Sequence, residues 1–492
     1  MKAVIALLAL VPISLGARED LEALEKSLRS DNVRERQEAV RGLAEEGSPK
    51  AWELVLGSLA DVEPRVADEA QIRLSEMQSA RDLQLLFGKG GLKARKGIIA
   101  ERVAEALGRL ALPIEAADLV RHLAHRDPQV RAALLWSIER LAIAGRLDLE
   151  DGSKLRKAVA KLCSKDKDPH VRACALQALL WIAAPRAGET AEQLMKDDEA
   201  SVRCAVASMW GVVRDGGPGG NVLGLMAGDP AVAVRLQVAE EYARMASASG
   251  ARGLAWMLAR EEHLRVSWRI VELLQDLSGL QYGLDDRPWR DWTLGLEGDW
   301  KPAEEAAERT YENMTSAFAG LPVLSGNIAV LIDMSGSMWD ESGDGRTRKQ
   351  AVDVEVRRLL ESLSSETWFN VIPYSGVPEP WEDELVRASL RNVKKAIEAF
   401  EGNKLRGKGN FWDAFWRALE DPRVDTVMVL TDGAPTGGDR WNLSLMKTLL
   451  PQRNRYRKVV LDAILFDSSG FLESQWREMC TATGGRCITI DL

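Results

Sequence analysis

Residues 327–335 read Asn-Ile-Ala-Val-Leu-Ile-Asp-Met-Ser. Positions 328–332 are apolar without a break, and the run ends on the carboxylate of Asp333. A continuous apolar run of this length marks a strand buried on both faces, the habit of parallel sheets. Four more such runs follow: 368–375 (WFNVIPYS), 426–433 (TVMVLTDG), 459–467 (VVLDAILFD) and 486–492 (RCITIDL). Helical patterns lie between them at 347–363, 391–400, 412–419, 443–450 and 472–482. Strand and helix in alternation predict a doubly wound, mostly parallel α/β sheet.

Sheets of this kind hold ligands at the carboxyl ends of their strands, and two motifs fall there. The first is Asp333-Met-Ser335-Gly-Ser337. Once the strand ends, alternate residues of the turn can aim their oxygens at one point. One carboxylate and two hydroxyls make a hard, oxygen-only donor set suited to Mg²⁺, Mn²⁺ or Ca²⁺. The second motif is Thr431-Asp432-Gly433, after the run VMVL. If the two strands are neighbours, Asp432 reaches the same ion. Mg²⁺ wants six oxygens, so positions stay open for water or for a carboxylate of a protein partner.

Together DMSGSM (333–338) and LTDGAPTGG (430–438) closely resemble the metal-ion-dependent adhesion site of von Willebrand factor A (VWA) domains. The resemblance covers about 327–492. It implies Asp333, Ser335 and Ser337 as first-loop ligands and Asp432 as the third-loop carboxylate. In that family the second loop supplies a Thr from a GGTN-type turn. Here 407–414 reads GKGNFWDA, so Gly409 stands at the Thr position. Asn410 follows it as a candidate ligand through its amide oxygen.

Upstream, from about 19 to 276, the chain is helical and self-similar. Three segments begin at Val130, Val171 and Val202 and keep apolar residues at offsets 0, +4, +8 and +11. That spacing is one face of a helix. Each copy opens with an acidic residue, then Val, then Arg, at 127–131, 168–172 and 198–203; weaker copies occur at 31–34, 229–235 and 261–265. The acid suits a helix cap, and Pro128, Pro169 and Pro230 suit a first turn, where no N–H is needed. The pattern DPxVRxxA resembles that of HEAT repeats and implies an α-solenoid with a long concave binding surface. The expected whole is multidomain: a signal peptide at 1–17, a HEAT-like α-solenoid at 18–276, a Trp-rich connector and helix at 277–326, and a VWA/Rossmann-like α/β domain at 327–492.

The connector gathers Trp289, Trp292 and Trp300 among Gly and Asp, a composition suited to sealing the last exposed helix of a stack. A helix is expected at 301–318, and Asn313-Met-Thr315 matches a glycosylation sequon. At the N-terminus Lys2 precedes an apolar run from 3 to 15, then small residues and Arg-Glu-Asp. This reads as a cleavable signal peptide, cut after Gly16 or Ala17, with no Cys for a lipid anchor. The expected location is therefore secreted or periplasmic. No later stretch approaches 18 apolar residues, so no transmembrane segment is expected.

Composition narrows the function. The formal charge of −9 argues against a nucleic-acid partner. Hydrophobic residues make up 46%, enough for sizeable cores. The five cysteines are odd in number; Cys174 and Cys204 fall on core positions, and Cys480 and Cys487 could bridge in an oxidising compartment. His122 and His125 form an HxxH pair without a third ligand and read as solvated helix residues. The run 340–345 (DESGDG) starts like a calcium loop but has Ala351 where a bidentate Glu is required. Its acids Asp340, Glu341 and Asp344 are expected to edge the metal face. Residues 402–409 resemble a phosphate loop but lack the closing Ser or Thr, so no nucleotide is expected. Every His lies upstream of the candidate site, so Ser335 and Ser337 have no base and the chain is not expected to be an enzyme. The expected function is a non-catalytic extracytoplasmic protein-binding or adhesion module. It would use a divalent cation to coordinate an acidic residue of its partner. The alternative is a metal-free structural scaffold with the solenoid as the binding surface.

Overall fold

The computed structural model describes residues 15–150, 152–212, 219–303, 309, 311, 317–318, 320–341 and 345–491. The candidate signal run before residue 15, the sequon at 313–315, Asp344 and most of the helix expected at 301–318 lie outside them. Ala317–Phe318, expected to end that helix, instead pairs antiparallel with Leu321–Pro322. The chain forms two compact units, Met1–Leu155 and Arg156–Leu492.

The first unit is helical and includes Val33–Glu46 (α1) and Pro128–Ile143 (α2). The second begins with helices Pro169–Ile182 (α3), Ala200–Val212 (α4), Val232–Arg244 (α5) and Leu264–Ser278 (α6), each packed on the next. The repeated sequence explains both their starts and their spacing. Asp127 and Asp168 cap α2 and α3, with Pro128 and Pro169 in the first turn. Val130, Val171, Val202 and Val234 are fully buried. The repeated Arg does two jobs. One nitrogen binds a backbone carbonyl six residues back: Arg172 to Asp166, Arg203 to Asp197, Arg235 to Asp229. The remaining nitrogens reach the acid of the following turn: Arg172 to Asp197 at 2.8 Å, Arg203 to Asp229 at 2.7 and 2.9 Å, Arg235 to Glu261 at 2.7 and 2.9 Å. In the first unit Arg36 of α1 binds the Ser30 carbonyl and Asp61 in the same way. Two paired oxygens and a fixed carbonyl satisfy the planar guanidinium and set the step from one helix to the next.

Helix Asp286–Leu294 (α7) packs on Ala248–Leu258, and Arg252 holds its Thr293 carbonyl at 3.2 Å. Trp289 is wholly buried and donates to the Gly283 carbonyl. Trp292 meets Trp289 and Trp300 edge-on, at centroid distances of 6.1 and 5.6 Å. The aromatic cluster thus covers a helical face. His122 departs from expectation. It lies in a turn after Ala116–Val120, not in a helix, and is buried beside Phe87. All five cysteines are buried thiols.

The rest of the second unit is built on a six-stranded sheet. Its strands are Asn327–Asp333 (β1), Trp368–Tyr374 (β2), Val386–Arg387 (β3), Thr426–Thr431 (β4), Val460–Phe466 (β5) and Cys487–Ile490 (β6). Their order is β6-β5-β4-β1-β2-β3. All pairs are parallel except β2 with β3. The sequence pattern missed β3, whose two residues are too few to show a period. The linking helices are Arg348–Ser362 (α8), Leu390–Glu401 (α9), Phe411–Ala418 (α10), Leu443–Asn454 (α11) and Phe471–Ala482 (α12). Ile328, Val330 and Ile332 of β1 join Val352, Val356 and Leu359 of α8 in one core.

The helices α3 to α6 hold this sheet by one end. Tyr456 donates to the Ala173 carbonyl, Arg455 to Gln177, and Lys458 pairs with Glu240. His263 lies 3.5 Å from Asp425 and 3.4 Å from Asn327. Asn327, Asp425 and Lys458 all stand at or just before the amino ends of strands. Asp333 is at the other end of β1, about 20 Å away at 3.3 Å per residue. The carboxyl ends therefore face away from the gripping helices.

Candidate metal centre

Parallel pairing of β1 with β4 puts Ile332 beside Leu430, so Asp333 and Asp432 emerge from neighbouring strand ends. Asp333 is 1% exposed and Ser335 2%. Ser337 and Asp432 are partly exposed, forming the rim. Asp333 Oδ1 accepts the Ser335 N–H at 2.8 Å, which curls the first loop over the carboxylate. That curl brings the Ser335 and Ser337 hydroxyls to 3.1 Å from each other. Asp333 Oδ2 accepts the Thr431 hydroxyl at 2.7 Å, tying β4 to β1. Burial pushes the Asp333 carboxyl up to about 6; the Thr431 hydroxyl opposes this shift and the Asp432 charge adds to it.

Three loops are knitted by backbone. Gly336 N–H donates to the Gly407 carbonyl at 3.0 Å, and Gly407 N–H to the Met334 carbonyl at 3.3 Å. Gly409 N–H donates to the Thr436 hydroxyl, and Thr436 N–H returns to the Gly409 carbonyl at 2.9 Å. Arg348 of α8 holds the Ser337 carbonyl at 3.2 Å and pairs with Asp467 at 3.0 Å. Sequence reasoning gave no role to Thr431, Thr436 or Arg348. The two threonines lay inside the quoted third-loop motif; Arg348 carried no local signal.

Gly409 sits at the heart of the site. A Cβ placed there would lie 3.4 Å from both Asp333 oxygens and from Ser335 Cβ, ordinary contact distance. Asn410, a candidate ligand from the sequence, uses its amide elsewhere. Its oxygen accepts from Asp413 N–H and caps α10, while its nitrogen donates to the Gly376 carbonyl and to Asp413. Gly438 accommodates that amide: its φ is +92°, and a Cβ would fall 1.9 Å from Asn410 Oδ1. Asp340 and Glu341 are exposed.

The donor set suits a hard cation: a buried carboxylate, two converging hydroxyls and a second carboxylate on the adjacent strand end. Among the described residues no group of three or more His, Cys, Asp or Glu side chains gathers to hold a metal. A site made half of serine hydroxyls is of a different kind. Among the described residues no helix is long and apolar enough to cross a membrane.

No family model matches the chain. The chain is 31% identical over 131 residues to inter alpha-trypsin inhibitor, heavy chain 4, of Mus musculus; this covers 24% of the chain and 13% of that protein. It is 29% identical over 178 residues to inter-alpha-trypsin inhibitor heavy chain H4 of Bos taurus, covering 34% and 18%. The chain thus spans less than a fifth of the length of these relatives. Among solved structures, von Willebrand factor type A from Catenulispora acidiphila matches with a TM-score of 0.28 and 18% identity, over 34% of this chain and 38% of that one. The likeness to the heavy chains supports kinship of part of this chain with the VWA-domain family.

Proposed function

We propose that the protein is a non-catalytic, extracytoplasmic protein-binding module. Asp333, Ser335, Ser337 and Asp432 would hold a divalent cation, Mg²⁺ first and Mn²⁺ or Ca²⁺ as alternatives. When bound, the cation supplies a Lewis-acidic centre for a carboxylate oxygen of an acidic partner. Thr431 and the Ser335 N–H hold the Asp333 carboxylate in place, and Asn410 braces the second loop rather than contributing a ligand. Residues 327–492 would be the doubly wound VWA domain. Residues 18–276 would be a HEAT-type α-solenoid in this reading, of which α3 to α6 carry the sheet by the amino ends of its strands, with 277–326 as the connector. The apolar run that precedes residue 15 supports export as a secreted or periplasmic protein.

The observation that carries this reading is the convergence at Asp333. A carboxylate 1% exposed is braced on both oxygens, beside two hydroxyls 3.1 Å apart and a second acidic side chain. A buried carboxylate with hydroxyls and a second, rim carboxylate beside it is an oxygen-only donor set that supports coordination of a hard cation. The test is capture of envelope proteins on the immobilised chain, with Mg²⁺, with EDTA, and with the Asp333→Ala variant. Capture that needs Mg²⁺ and Asp333 supports the reading. Equal capture in all three arms overturns it.

A second reading keeps the fold without the ion, with the helical surface as the binding face. Gly409 favours it, because the second loop contributes no side-chain oxygen from that position. Calorimetric titration of Mg²⁺ into the intact chain separates the two.

A further inference from the structure

A polar cavity of about 360 Å³ lies where α5 and α6 meet the ends of α11 and α12. It is remote from Asp333, on the gripped side of the sheet. Four of its lining residues are cationic, Arg244, Arg269, Arg455 and Lys458, against the single carboxylate of Glu240. Glu240 pairs with Lys458 at 2.5 Å and with Arg269 at 3.7 Å. Arg269 also reaches Glu272 at 3.4 Å, and Arg455 donates to Gln177. Counting Glu240 in the lining with Glu241 and Glu272 outside it, which pair with Arg244 and Arg269, four cations meet three carboxylates and a net +1 remains around the cavity.

Lys458 is the informative member. Its backbone has φ of +57°, a conformation unfavourable for a side chain with a Cβ, and one where glycine would be free of strain. A glycine would turn the chain equally well between α11 and β5 but would supply no ammonium. Arg244, half exposed, stands at the mouth and pairs with Glu241. Guanidinium groups and an ammonium lining one cavity offer several donors, which suit the oxygens of a phosphate better than a single carboxylate. The volume exceeds that of one phosphate and leaves room for a small ester group.

We propose that this cavity binds a small phosphate-class oxyanion, inorganic phosphate or a short phosphate monoester, and that the bound anion fastens the sheet to α5 and α6. Arg269 comes from the helices and Arg455 and Lys458 from the sheet side, so one anion ties both together. The inference is independent of any cation at Asp333.

The test uses the full chain in EDTA, which removes any phosphate held through a metal. Inorganic phosphate and glycerol 3-phosphate are titrated separately, with sodium chloride at matched ionic strength as control, and thermal unfolding is followed. The expected result is a saturable rise in Tm of about 2–4 °C with one or both phosphates and none with chloride. A larger rise with glycerol 3-phosphate assigns the ligand as an ester; an equal rise assigns inorganic phosphate. The Arg269→Gln/Lys458→Met double variant should lose the rise. No rise, an equal rise with chloride, or a rise that survives the double variant overturns the proposal. Should that variant fail to fold, ³¹P line widths with the unaltered chain decide. Broadening that glycerol 3-phosphate or excess phosphate reverses supports the site, and an unbroadened line refutes it.

Discussion

The repeated helices and the sheet's loop face use polar side chains in opposite ways. In the helices one solution recurs. Arg36, Arg172, Arg203 and Arg235 each hold a carbonyl six residues back and an acid of the next turn. At the loop face nothing recurs. Asp333, Thr431, Thr436 and Gly409 each make one arrangement, once. A recurring contact sets geometry and is backed by its neighbours. A unique one concentrates consequence in a single residue. The difference predicts that substitutions in the helices cost stability in similar, moderate steps, whereas substitutions at the loop face change binding and leave most of the fold intact.

The largest expected effect is at Asp333. Asp333→Ala removes the buried charge at the centre of the donor set. Mg²⁺ affinity should fall by more than the roughly 10–100-fold that loss of an outer-shell partner costs. Calorimetry reads the affinity, and far-UV circular dichroism should remain that of the unaltered chain. Affinity within threefold of the original would place the cation elsewhere. Next is Arg203→Met. Arg203 and Asp229 are 13% and 9% exposed, so the variant strands a nearly buried carboxylate. Breaking such a pair costs about 3 kcal/mol. Arg235→Met should cost about the same, and the exposed pair Arg34–Glu38 less than about 0.5 kcal/mol. Urea unfolding of the three variants checks the ranking. A small loss at Arg203 beside a large one at Arg34 would break the account of the recurring arginines.

How much of this was legible follows the same division. The strands were legible because five apolar runs impose burial on both faces. That Asp333, Ser335, Ser337 and Asp432 lie together was legible because neighbouring strand ends fix where their side chains start. The acid–Val–Arg pattern was legible, but the partner of each Arg was not. Asp229 is 26 residues from Arg203, and only helix packing sets that register. The knitting of Gly336 to Gly407 and of Gly409 to Thr436 is backbone work, carried by no side-chain pattern. His122 misled because HxxH looks helical and solvated, whereas the chain leaves the helix at Val120 and turns the imidazole inward.

That buried imidazole gives the helices their own pH dependence. Burial, with help from Arg121 and Lys93, pushes His122 down to about 4. The folded state therefore binds fewer protons than the unfolded one between about 6.5 and 4. Stability contributed by neutral His122 is present above pH 6.5 and is lost as pH falls through that window, by about 2 kcal/mol at pH 5. Urea midpoints of the full chain should fall with pH, and His122→Gln should flatten the fall. An unchanged slope in the variant would assign the acid sensitivity to other groups.

The smallest effect discriminates most finely between the two readings of the loop face. Gly409 lies outside the left-handed region, and a Cβ there meets both Asp333 oxygens at 3.4 Å without collision. Gly409→Thr would extend that Cβ by one hydroxyl toward the ion position. If the chain already holds Mg²⁺ through Asp333, Ser335, Ser337 and Asp432, one further oxygen should tighten binding about tenfold, or about 1.4 kcal/mol. If the unaltered chain holds no ion, titration heat should be absent before the substitution and emerge after it. If Gly409→Thr binds no Mg²⁺ either, the convergence of Asp333, Ser335 and Ser337 is structural, and the cation reading fails with it.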